Sequence, residues 1–63
     1  MRDSQIFNGK KVRINRSHRG CEGLSGIVTS NTPHRWRGHN YWSVRIPQFL
    51  MVIRFLASEM EAR

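Results

Sequence analysis

The sequence is short of the parts from which an enclosed catalytic cleft or a membrane span is built. Only four of its 63 residues are Asp or Glu: Asp3, Glu22, Glu59 and Glu61. Paired-carboxylate chemistry needs two convergent acids, and here three lie near the chain ends and one stands alone. A single cysteine, Cys21, excludes an intrachain disulfide and any Cys-pair zinc motif. The longest apolar stretch, residues 49–57, is interrupted by Arg54, whereas a bilayer-spanning helix needs about 20 apolar residues. Behind the charge of Met1-Arg2-Asp3-Ser4-Gln5 there is no apolar core, so no secretory leader is expected. There is no Ser-His-Asp order and no phosphate-cradling glycine loop followed by lysine. A chain this short buries only about 60% of its unfolded surface, which leaves room for one domain. These absences point to a soluble, cytoplasmic binding protein and away from an enzyme.

What is present is positive charge. Eleven Lys or Arg against four acids give a formal charge of +7, with no acid at all in residues 10–19 or 33–53. Lys10, Lys11, Arg13, Arg16 and Arg19 form one group beside His18, and Arg35 and Arg37 form a second between His34 and His39. A phosphate backbone rewards such segments, because each neutralised phosphate releases condensed counterions.

Periodicity supplies the frame. Residues 1–8 read as an arm, docked through Phe7. From Lys11 to Asn15 polar and β-branched residues alternate, with Val12 and Ile14 inward, as in a half-buried strand. Three glycines in the seven residues from Gly20 to Gly26 imply turns, with Leu24 as an inward anchor. Ile27-Val28-Thr29 reads as a second strand, and residues 34–40 as a second basic loop. Tyr41 to Ile46 alternates again, with Trp42, Val44 and Ile46 on one face, until Pro47 removes a ladder donor. The last sixteen residues admit two readings. As strand and short turn, Met51, Ile53 and Phe55 face inward. As a helix over 48–62, Phe49, Val52, Ile53, Leu56, Ala57 and Met60 form an apolar stripe. The β-branched Val52-Ile53 pair, and Glu59 and Glu61 at the negative end of a helix dipole, favour the strand.

With Gly9-Lys10-Lys11-Val12-Arg13-Ile14, the glycine-rich Gly20-Cys21-Glu22-Gly23, Gly26-Ile27-Val28 and Leu56-Ala57-Ser58-Glu59-Met60-Glu61, the chain resembles small SH3-like barrels of the KOW kind. It is also similar to the photosystem I reaction-centre subunit IV and ferredoxin–thioredoxin reductase variable-chain families. The resemblance covers residues 9–63. It implies an all-β, five-stranded barrel with a short 3-10 turn before its last strand. Residues 24–26 lengthen the single compact turn of a KOW core. The plasmid-type dihydrofolate reductases share the fold and carry a Val-Gln-Ile-Tyr stretch. The nearest segment here, Val52-Ile53-Arg54-Phe55, lacks both the Gln and the Tyr, so that activity is not expected.

The leading expectation is a nucleic-acid-binding protein of low sequence selectivity, for RNA or DNA. Lys10, Lys11, Arg13, Arg16, Arg19, Arg35, Arg37 and Arg45 would contact phosphates while Trp36 stacks on a base. Tyr41 is a candidate second platform, and Trp42 is read as core. The alternative is a module that docks an acidic partner protein within a larger redox, ribosomal or polymerase assembly, as monomer or homodimer. His18 and Cys21, with His34 or His39, have zinc-ligand types without a spacing that closes a site. They read better as polar loop residues and a buried thiol, with no metal or other cofactor.

Overall fold

The computed structural model describes residues 1–16 and 20–63. Among these residues six strands form one antiparallel sheet: β1 Lys11–Ile14, β2 Ser25–Val28, β3 His34–Trp36, β4 His39–Ile46, β5 Met51–Leu56 and β6 Met60–Ala62. The path runs β3-β4-β2-β1-β6, and β5 pairs with the other edge of β4. Short 3-10 turns occupy Asp3–Gln5, Pro47–Phe49 and Ala57–Glu59. Among the described residues no helix is long and apolar enough to cross a membrane.

Alternation decides what each strand buries. In β1, Val12 and Ile14 are fully buried while Lys11 and Arg13 are exposed. In β4, Trp42, Val44 and Ile46 turn inward, and the register sets Trp42 opposite Phe55 and Val44 opposite Ile53. With Val28 from β2, Met60 from β6, and Ile6 and Cys21, these side chains make one continuous core. Burying each large aliphatic is worth about 1.5–3 kcal/mol, so the inward positions dominate stability. Gly26 lies on the inward phase of β2 where that strand meets β4. A Cβ there would sit 2.5 Å from Val44 Cγ1 and 2.7 Å from the Arg45 carbonyl. The missing side chain permits the close approach.

Several expectations change. Among the described residues there are six strands rather than five, because His34–Trp36 pairs with β4 instead of forming a loop. Trp36 lies opposite His39, so Arg37 and Gly38 make a two-residue turn with φ of 49° and 80°. Two successive positive φ values are the signature of a type I′ hairpin turn. The second strand starts at Ser25 and ends at Val28, leaving out Thr29. Residues 48–62 hold strand and 3-10 turns, so the helical alternative does not form. Met51 is 53% exposed rather than inward, since its partner Ile46 closes the core at that end of the ribbon. Ile6 docks the N-terminal segment at 6% exposure, whereas Phe7 is 51% exposed. That segment is tied down further: Trp42 Nε1 donates to Asp3 Oδ1 at 2.8 Å, and the Met1 ammonium donates to the Met60 carbonyl at 3.2 Å. Leu24 is half-buried against the core, and Cys21 is buried.

Candidate functional site

The face of the sheet opposite the core carries most of the candidate residues, and strand register fixes their order. Lys11 pairs with Ile27, Ile27 with Arg45, and Arg45 with Val52, so one row crosses β1, β2, β4 and β5. At about 4.8 Å between strands the row spans roughly 14 Å. Arg13 stands one pleat along β1, opposite Ser25 and Glu61. Its Nε lies 3.9 Å from Glu61 Oε1, and both side chains are at least half exposed. Such a surface pair is worth little and leaves the guanidinium available. Arg54 lies opposite Ser43, diagonal to Arg45. Among the described residues no acid forms an ion pair with Lys11, Arg45 or Arg54.

The same face continues onto the β3–β4 hairpin. His34 pairs with Tyr41 and Trp36 with His39, which places all four rings on the outer side. Trp36 is 53% exposed and does not plug the core. Its ring centroid lies 6.3 Å from that of Tyr41 in an edge-on arrangement, and His39 approaches Tyr41 at 6.4 Å. His34, Trp36, Tyr41 and Arg54 line a shallow depression of about 360 Å³. The Arg37 guanidinium sits 4.5 Å from the Trp36 centroid. It forms a cation–π contact that fixes one side of the indole. The depression thus presents aromatic rings and one guanidinium side by side.

The other candidates fall elsewhere. Arg35 alternates away from Trp36 and donates from Nη1 to Asn40 Oδ1 at 3.3 Å, and Asn40 in turn donates to Asp3 at 3.4 Å. The two arginines therefore do not flank the indole symmetrically: Arg37 stacks on it and Arg35 faces the opposite side. Lys10 holds its Nζ 5.5 Å from the Phe7 centroid, beyond the start of β1. Arg16 is exposed after the end of β1, its N–H directed at the Glu59 carbonyl at 3.4 Å. Arg19 and His18 lie outside the described residues, so the proposed pairing of His18 with Cys21 does as well. Among the described residues no cluster of three metal-ligating side chains forms. Arg54 was not among the candidates read from the sequence. Only the β4–β5 register brings it to the aromatic cluster, although its outward phase in a β-branched run was a usable signal.

Comparison of the chain with protein-family models, with curated proteins and with solved structures returns no match.

Proposed function

We propose that the outer face binds nucleic acid, RNA or DNA, with low sequence selectivity, and that the protein is a binding module rather than an enzyme. The observation that carries this reading is the junction of a cationic row with an aromatic-lined depression on a single face. Lys11, Arg13, Arg45 and Arg54 would follow phosphates, while Trp36 and Tyr41 offer aromatic surface to an unpaired base. Base stacking is worth about 1–3 kcal/mol and tolerates any base, whereas phosphate contacts carry no sequence information. We further propose that the sheet is an SH3-like barrel of the KOW kind. Its support is that β1 neighbours both β2 and β6, that β4 and β5 form a ribbon, and that a 3-10 turn at Ala57–Glu59 precedes β6.

The test is titration of the protein against single- and double-stranded DNA and RNA across salt concentrations. If these four cations and Arg37, which stacks on Trp36, each neutralise a phosphate, the logarithmic salt slope on duplex is about −4.5. A slope near zero at measurable affinity overturns the reading. An acidic protein partner would also bind in a salt-dependent way. It would survive nuclease treatment in a pull-down and would not yield to mixed RNA, and that result would replace nucleic acid with protein as the ligand.

A further inference from the structure

Among the described residues β5 lies at an edge of the sheet. Among the described residues it pairs only with β4. Residues along an antiparallel strand direct their N–H and C=O groups alternately to one side and the other. The Leu56 N–H donates to Glu59 Oε1 at 2.8 Å and so points away from β4. Two and four residues earlier, Arg54 and Val52 share that direction. Their N–H and C=O groups form the open edge. Beside it stands an apolar run: Phe49 is 45% exposed, Leu50 85%, Met51 53% and Val52 58%. Leu50 also holds φ of 54°, a left-handed conformation that an Asn or Gly would adopt at lower cost. Natural edge strands are commonly protected by shortness, proline or charge. The β6 edge has only three residues, one of them Glu61, and β3 has three with no buried side chain, while β5 runs for six with one charge.

We propose that a second copy of this chain covers the edge, with two β5 strands pairing antiparallel about a two-fold axis at Ile53. The register follows from the open groups. Centred on Ile53, Val52 faces Arg54 of the second copy and Arg54 faces its Val52. All the outward N–H and C=O groups of those residues are then used. Centring on Arg54 would oppose two guanidinium groups and would draw on the Leu56 N–H, which Glu59 already holds. Centring on Val52 would leave Arg54 facing Leu50, at the left-handed bend. The Ile53 register also sets Leu50 opposite Leu56 and Met51 opposite Phe55 of the second copy, so the seam begins at the exposed run. No like charges face each other across the seam, which matters for two chains of +7 each.

Stable dimers bury about 800 Å² per partner, roughly a fifth of this chain's 4442 Å² surface. A seam of one strand and one turn covers less than that, so the dimer dissociates on dilution. A two-fold perpendicular to the sheet keeps both outer faces on the same side. The row Lys11–Ile27–Arg45–Val52 then continues into Arg54 and Ser43 of the second copy, joining two cationic faces into one.

Sedimentation equilibrium without nucleic acid tests the proposal, so its outcome is independent of the binding reading. The expected result is a monomer–dimer equilibrium, with Val52 and Arg54 amides gaining hydrogen-exchange protection as concentration rises. Val52→Glu would set a carboxylate against Arg54 twice per dimer and tighten association about tenfold, and Val52→Lys would weaken it about as much. Ser58→Glu, which changes net charge equally at an exposed position off the seam, should leave it nearly unchanged. Position 52 is 58% exposed, so circular dichroism should report the same fold for both variants. A monomer at about 1 mM, or equal effects of Val52→Glu and Ser58→Glu, overturns the proposal. A monomer that binds an extended acidic peptide at the same amides also overturns it and assigns the edge to that class of partner.

Discussion

Two tryptophans six positions apart divide the molecule into unlike halves. Trp42 is 3% exposed, faces Phe55 and donates its indole N–H to Asp3, while Trp36 is 53% exposed at the end of a short strand with no buried residue. Both belong to the same hairpin, and the difference is phase and reach. Trp42 falls on the inward phase where β5 and the N-terminal turn close over it. Trp36 falls on the outward phase, beyond the end of the core. The core half is held by burial. The hairpin tip is held by backbone pairing and by a turn that sets Arg37 in a left-handed conformation. One half can therefore change its surface freely while the other cannot change a methyl group.

That contrast can be broken at several points. The largest effect is expected from Trp42→Ala, which should remove about 3–5 kcal/mol. A chain of this size has roughly 3–9 kcal/mol in total, so urea denaturation should find that variant largely unfolded. Gly26→Ala comes next, because the added methyl meets Val44 and the Arg45 carbonyl. A loss of about 1–3 kcal/mol in the same assay is expected, and an unchanged midpoint would mean that β2 and β4 are not so closely packed. Asp3→Ala leaves the part-buried indole N–H of Trp42 without its acceptor, costing about 1 kcal/mol, and Asp3→Asn should recover much of it.

On the tip the readout moves from stability to binding. Trp36→Ala should leave the denaturation midpoint within about 0.5 kcal/mol of the parent. The same substitution should weaken single-strand binding by about 1–3 kcal/mol, measured by fluorescence anisotropy of a labelled oligonucleotide. Equal single-strand affinity would remove Trp36 from the site. The smallest effect belongs to Arg37→Gly, which relieves the left-handed conformation but loses the contact with Trp36. A change in melting of under about 1 kcal/mol is expected, together with a slightly shallower salt slope.

How much was legible follows the same division. Where one face is apolar and the other polar, as in Lys11 to Ile14 and Tyr41 to Ile46, alternation identified strand and inward face together. The β3 strand gave no such signal, because His34, Arg35 and Trp36 have no apolar side. Its only local mark was Arg37-Gly38 between short polar runs. Met51 continued the inward phase of Ile53 and Phe55, yet the core ends before it, and periodicity does not record where a core ends. Asp3 as acceptor for Trp42, and Arg54 beside His34 and Tyr41, depend on register and on contacts across 39, 20 and 13 residues. No local pattern encodes such pairs. The cationic content of the site was plain from composition, but its division between two faces of the hairpin was not.

The pairing of β1 with β6, with Val12 beside Ala62, bears on how the chain reaches this structure. Contacts between residues so distant in sequence form late, since loop-closure entropy is met before they return any energy. Until residue 62 has left the ribosome, one side of β1 has no neighbour and Met60 cannot cap Ile14. The edge of β1 that faces β6 therefore stays without its strand neighbour until residues 60–62 are in place, and β6 closes the sheet last.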